Sequence, residues 1–351
     1  QIVKKLENNR LIIKVDRVTE RIRYVCDFVF KQRDIEYSFV FDESPSDFNY
    51  TLDGGASELL YNEKLIRRPE FNEELGVYII DEKEDYLAAI FYVLTRMEEY
   101  TATMKDHHDR FTANQSELLA HGILETAVCD RWAERILNKL GIKAENEKYG
   151  FEPTFDIDNT YAYRYKRGIR RNLSIMRDRV KNNKERLRER KEVERGAKDP
   201  YDKYDQISSI AQQFDTRIFW LVESHGKYDR NLDISLPEHQ ALIQNLSKDA
   251  SIGIHPSYKS FCSPTLVNQE KQTLENILGS EIRASRQHFL RFTLPESYKT
   301  LLQAGIRNDY SMGFADGIGF RAGTARSFHW YDLLEERITD LIIHPFVYMD
   351  G

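Results

Sequence analysis

Three cysteines in 351 residues, Cys26, Cys129 and Cys262, are too few, odd in number and too far apart for a disulfide framework or a zinc knuckle. A reducing compartment fits that usage. The chain also lacks an apolar run long enough to span a bilayer, so no membrane span is expected. It lacks an excess of either charge: 51 basic and 57 acidic side chains leave a net −6 and a pI near 5.9, which argues against a global nucleic-acid or membrane-surface role. No apolar h-region follows Lys4 and Lys5, so no secretory signal is read and a cytoplasmic location is expected.

Hydrophobic residues make up 41% of the chain, enough for a sizeable core, and the length suits two domains or one barrel with a substantial extension. Residues 1–145 read as a mixed α/β domain. Leu87, Ile90, Phe91, Leu94 and Met97 fall on one helical stripe behind an acidic preface at 81–85. A second helix is expected over 117–140, with Ser116 as N-cap and Gly141 as terminator. Between them, Asp106-His107-His108-Asp109 resembles a metal cluster at first sight, but adjacent loop histidines without a third ligand at helical spacing favour a structural role.

Residues 163–200 are dominated by Lys, Arg and Glu. Opposite charges recur at helical spacing, which reads as a solvated helical insertion rather than a polyanion site, although 166–171 is net basic. Beyond it, short apolar runs at 218–222, 251–254, 282–285, 306–308 and 341–343 alternate with helix patterns at 237–245, 264–278 (Ser263 as N-cap) and 295–304 (Gly305 as terminator). Apolar strands alternating with helices imply a parallel sheet covered by helices.

Nearly every candidate strand releases a chemically competent residue at its C-terminal end. Asp156 and Asp158 come first, then Ser224 and His225, His255, Arg286 and His288, Asp309, and His344. In parallel α/β architectures those ends converge on one mouth. Thr154-Phe155-Asp156-Ile157-Asp158-Asn159 sets two carboxylates on one side of a strand end, able to share a metal and its water. Asp158, His255 and a further histidine match the three-ligand, open-position arrangement by which zinc activates water. Arg286 could pair with Asp156 and keep it ionised.

These residues resemble the polysaccharide deacetylase family (carbohydrate esterase 4, NodB-like), within it a bacterial branch with an extra N-terminal domain. Thr154 to Asn159 is similar to the family's first motif, which implies Asp156 as general base and Asp158 as a metal ligand, although one residue separates them here. Ile252-Gly253-Ile254-His255-Pro256-Ser257-Tyr258 resembles the second motif, which implies His255 as a ligand. The family's second histidine, four residues on, is Lys259 in this chain, and a protonated lysine cannot ligate. Ser285-Arg286-Gln287-His288-Phe289 is similar to the third motif, whose arginine holds the base, and His288 is the candidate for the missing ligand. His344, after the hydrophobic 341–343, stands where the family has its general acid. Segments 309–313 and 319–324 resemble stretches of the same branch, which implies that Asp309 and Arg321 line the cleft with Tyr258. Relatives continue past Met349-Asp350-Gly351, so a C-terminal truncation is expected.

The resemblance implies a distorted (β/α) barrel of the NodB type over 146–351, behind the N-terminal domain, carrying the charged insertion. It implies a metal-dependent hydrolase, with zinc as the expected cofactor, removing N-acetyl (or O-acetyl) groups from a bacterial polysaccharide or glycan precursor. Trp220, Tyr258, Tyr310 and Trp330 are candidates to stack on sugar faces. Two alternatives stay open. Asp156-Ile157-Asp158-Asn159-Thr160 also fits the Asp-x-Asp-x-Thr of haloacid dehalogenase-type phosphatases, with Asp156 as nucleophile and magnesium as cofactor. With Lys259 at a ligand position, a non-catalytic carbohydrate-binding protein on the same scaffold is the other.

Overall fold

Residues 10–62, 68–143 and 150–350 are described by the computed structural model of the chain, and their contacts divide them into two units. The first takes in the described residues up to 143, Leu290–Leu302 and the chain from Arg307; the second runs from 150 to Phe289 and includes Gln303–Ile306. The boundary expected at 145/146 lies outside the described residues. Among the described residues no helix is long and apolar enough to cross a membrane.

In the first unit, β1 (Arg10–Val15), α1 (Glu20–Val29), β2 (Glu36–Val40) and β3 (Phe48–Tyr50) build a parallel sheet ordered β2-β1-β3. Leu11, Ile13 and Val15 are fully buried on alternate positions, the period of a strand with one face in a core. Strands β4 (Glu70–Asn72), β5 (Val77–Ile80) and β6 (Lys83–Glu84) form an antiparallel sheet. Helix α2 (Tyr86–Leu94) starts where the Asp85 carboxylate accepts the Ala88 N–H at 3.0 Å. It is buried on every side rather than along one stripe, and a left-handed Arg96 (φ 55°) separates it from α3 (Met97–Thr101). The single helix expected over 117–140 is instead α4 (Glu117–Ala120) and α5 (Val128–Lys139). Gly122, at φ 67°, takes the left-handed conformation that a glycine adopts at no steric cost, so the apolar period runs on across a break in the helix.

The second unit opens with β7 (Thr154–Ile157) and a helical pair, α6 (Gly168–Val180) and α7 (Lys184–Glu194), within the charged insertion. Then come α8 (Tyr204–Ala211), β8 (Arg217–Trp220), α9 (Pro237–Leu246), β9 (Ser251–Ile254), α10 (Pro264–Leu278) and β10 (Ala284–Ser285). The four strands pair in parallel in the order β7-β8-β9-β10. Ile218, Phe219 and Trp220 of β8 are fully buried, as a central strand covered on both faces requires. Helix α10 keeps its expected ends: Ser263 Oγ accepts the Leu266 N–H and Gly279 stands left-handed at φ 69°. Among the described residues β7 has β8 as its single strand neighbour, so the pairing that would close a barrel is not made.

Back in the first unit, apart from Gln303, come α11 (Glu296–Gln303), β11 (Asn308–Asp309), β12 (Phe328–Asp332) and β13 (Arg337–Ile343). Strand β13 pairs in parallel with β11 and antiparallel with β12. These strands group with the N-terminal elements for a physical reason: Arg21 forms an ion pair with Glu336 at 2.6 Å, Tyr24 donates to the His329 carbonyl at 2.9 Å, and Tyr24, Phe91 and Tyr331 cluster ring to ring.

Candidate metal centre

The register of the second unit's sheet builds the site. Ile157 pairs with Trp220, Trp220 with Ile254, and Ile254 with Ser285, so four strands end in one row. The ladder runs one residue further: the His255 N–H donates to the Trp220 carbonyl at 3.0 Å and the Arg286 N–H to that of Ile254 at 3.1 Å. Asp158, His255 and Arg286 are therefore the first residues past the same edge, with His288 two residues beyond Arg286.

Asp158, His255 and His288 each present a ligand atom within 4.8 Å of the others, and among the described residues this is the one such group of three. Asp158 Oδ1 lies 3.1 Å from His255 Nε2 and 3.6 Å from His288 Nε2. A tetrahedral centre with bonds of about 2.1 Å has donor–donor edges of about 3.4 Å, and the two distances straddle that value. The other ring nitrogens are spoken for. His255 Nδ1–H donates to the Arg286 carbonyl at 2.6 Å and His288 Nδ1–H to the Asp229 carboxylate at 3.0 Å. Both acceptors call for a proton on Nδ1 and leave each Nε2 turned to Asp158, the position at which an ion would take the place of the hydrogen-bonded proton, as in the outer-shell arrangement of histidine–metal sites.

Electrostatics concentrate at the same point. Burial alone would raise the Asp158 carboxyl, but hydrogen bonds from His255 and His288 hold it well below the ordinary carboxylate range. Burial would likewise lower His288, yet Asp158 and Asp229 on its two nitrogens push it up to about 9. Asp229 is itself depressed, despite its burial, by His288 and by the Tyr258 N–H, which it accepts at 2.8 Å.

The second carboxylate of the motif has a separate support. Asp156 Oδ1 accepts from Arg286 Nη1 at 3.1 Å, while Arg286 Nη2 donates to Thr154 Oγ1 at 2.8 Å and the guanidinium lies 4.8 Å over the Phe219 ring. Phe219 reaches that position because Gly253 sits against it: a Cβ there would come within 2.7 Å of the Phe219 ring and 2.9 Å of the Ala284 carbonyl. Lys259 forms an ion pair with Glu223 and donates nothing to the donor triad. Tyr258 belongs to an aromatic group with Tyr228 (4.3 Å) and Phe289 (5.7 Å), and Phe289 meets the His288 ring at 4.7 Å.

The remaining sequence candidates lie in the first unit or in cores. Arg321 is buried, forms a two-pronged pair with Glu99 at 2.7 and 2.9 Å, donates to the Gly313 carbonyl and covers the Phe292 ring at 4.2 Å. Such a guanidinium is a structural ion pair. Asp309 is fully buried and accepts the Ser311 N–H and hydroxyl. His344 places its ring nitrogens 2.8 Å from Ser327 Oγ and 2.9 Å from Asn308 Oδ1 and stacks on Tyr310. Trp220, Tyr310 and Trp330 are buried, which corrects the expectation that they offer faces to a sugar. His107 and His108 sit in a turn closed by the Asp106 carboxylate. Asp229 is the residue that sequence reasoning passes over. It lies in the irregular 221–236 stretch, with no motif or period to mark it.

The model of a family described as "Family of unknown function (DUF7033)" matches residues 11–144. No curated protein matches the chain. Three solved chains match it. One is described as "Crystal structure of putative polysaccharide deacetylase from Mycobacterium smegmatis": 11% identical, TM-score 0.36, over 59% of this chain and 62% of that protein.

Proposed function

We propose that the second unit is a metal-dependent hydrolase that removes acetyl groups, N-acetyl foremost, from a carbohydrate. The observation that carries the reading is the donor set: one carboxylate and two imidazoles with their Nδ1 protons already committed, beside a second carboxylate held by an arginine. Asp158, His255 and His288 would hold the ion. Two imidazole nitrogens suit zinc better than magnesium, which prefers an oxygen shell. When bound, such an ion supplies Lewis acidity toward an acyl oxygen and activates water at neutral pH.

The chain's own residues supply the rest. Asp156, oriented by Arg286, takes the proton of the attacking water and returns it to the amine nitrogen as the C–N bond breaks. Asp229 and the Arg286 carbonyl keep the two imidazoles from rotating. Tyr258, with Tyr228 and Phe289, offers aromatic surface to a sugar ring. Arg321 and Asp309 are left out because both are buried and engaged, and the acid role implied for His344 is left out because Ser327 and Asn308 occupy its ring nitrogens. The distorted barrel that the family likeness implies remains part of this reading, unclosed among the described residues.

Acetate release from an N-acetylated oligosaccharide by the zinc-loaded protein tests it. Asp156→Asn is expected to cost about 10²- to 10⁴-fold in rate with the metal retained. Full activity in that variant contradicts the assignment, phosphate release in place of acetate favours the phosphatase, and glycan binding without turnover favours the non-catalytic scaffold.

A further inference from the structure

The whole-chain charge of −6 hides a local imbalance. Residues 164–198 hold fifteen Lys and Arg against five Asp and Glu, a net +10, so the remainder of the chain carries −16. Asp199 closes the base of this segment: its carboxylate accepts the N–H groups of Ala162, Tyr163, Arg164 and Tyr201 at 2.8 to 3.0 Å, fastening the outgoing and returning strands of chain together.

Within the segment, α6 and α7 pack through polar groups. Arg190 is buried and donates to Ser174 Oγ at 2.7 Å and to the buried Asp178 at 3.2 Å, and its guanidinium lies 4.7 Å over the Tyr163 ring. Arg171 donates to Glu194 at 2.6 and 2.9 Å. Ile175 of α6 is half-buried, but three other apolar side chains of the helix face outward. Leu173, Met176 and Val180 are 55%, 58% and 82% exposed. Their spacing of three and four places them on one stripe of the helix. Arg177, Arg179 and Lys181 beside them are exposed as well.

An apolar stripe turned to solvent, bordered by cations and mounted on a clamped hairpin, matches a helix that lies in the interface of an anionic bilayer. We propose that the α6–α7 hairpin docks the protein on an anionic lipid surface, with Leu173, Met176 and Val180 entering the acyl boundary and the flanking arginines and lysines meeting the headgroups. A polyanion without an apolar phase would use the charge and leave the stripe in water. A second copy of the chain would bring +10 against +10.

Co-sedimentation with vesicles tests this, using phosphatidylcholine with roughly one third phosphatidylglycerol against phosphatidylcholine alone, at near-physiological salt. The zinc-loaded full chain is expected to partition at least about tenfold more strongly onto the anionic vesicles. Two variants are expected to lose about tenfold or more of that binding: Leu173→Ser/Met176→Ser/Val180→Ser, and Arg177→Glu/Arg179→Glu/Lys181→Glu. All six positions are exposed, and circular dichroism and metal content report whether each variant is folded. No binding by the wild type overturns the proposal. So does serine-variant binding equal to wild type, the outcome for a polyanion site, and so does self-association abolished by the serine variant without vesicle binding, the outcome for a second copy.

Discussion

Asp229 Oδ1 stands 3.0 Å from His288 Nδ1, and that contact decides which imidazole nitrogen faces Asp158. Without the carboxylate, the ring could turn or change tautomer, and the donor set would lose a third of its members. Asp229→Ala is expected to weaken zinc binding about 10- to 100-fold, as loss of an outer-shell partner does elsewhere. Competition against a calibrated chelator measures it. Unchanged affinity would mean that the ring is held by its packing against Phe289 instead.

Gly253 makes a packing prediction with a chemical consequence. Gly253→Ala forces a methyl into the Phe219 ring and the Ala284 carbonyl, and overpacking of this kind costs about 1 to 3 kcal/mol. Because Phe219 lies beneath Arg286, the variant is also expected to turn over more slowly while holding its metal. Urea midpoints and acetate release separate the two effects; wild-type stability would show that the strand yields without strain.

Arg321 is expected to matter for stability and not for the metal. Replacing it with Met leaves Glu99 buried beside Arg96 with half its partners gone, and breaking a buried pair costs about 3 to 5 kcal/mol. Thermal unfolding with parallel zinc titration checks both halves. A variant of normal stability and lost activity would restore Arg321 as a substrate contact.

His239 gives a pH dependence. Its ring is fully buried, with Nε2 2.9 Å from the Trp220 indole N–H and 3.0 Å from Thr160 Oγ1, and burial holds its pKa below the ordinary 6.5. The folded protein keeps this imidazole neutral where the unfolded chain takes up a proton, so stability is lost as pH falls below about 6.5 and the loss levels off beneath the folded value. His239→Gln should flatten that part of the stability profile. The same slope in wild type and variant would assign it to other groups.

Much of this architecture is written in local pattern, and the exceptions have physical causes. The strand ends that release Asp158, His255, Arg286 and His288 are marked by short apolar runs, and one row of parallel pairing brings them together. Helix α10 is legible from Ser263, Pro264 and the apolar period that runs to Leu278. The 117–140 helix misleads because apolar periodicity continues through Gly122, where the backbone does not. Strand β12 leaves no clear sign, since Phe328, Trp330, Tyr331 and Asp332 are all buried and the polar–apolar alternation is blurred. Asp229 and the outward apolar stripe of α6 depend on which partner the fold supplies, and no window of sequence holds both partners.

The most direct test of the central claim is the metal content of the purified, zinc-equilibrated protein beside His255→Ala and His288→Ala, read by elemental analysis after exhaustive dialysis. The account predicts about one zinc per wild-type chain and at least about a tenfold drop in either variant. Equal zinc in all three proteins would contradict it.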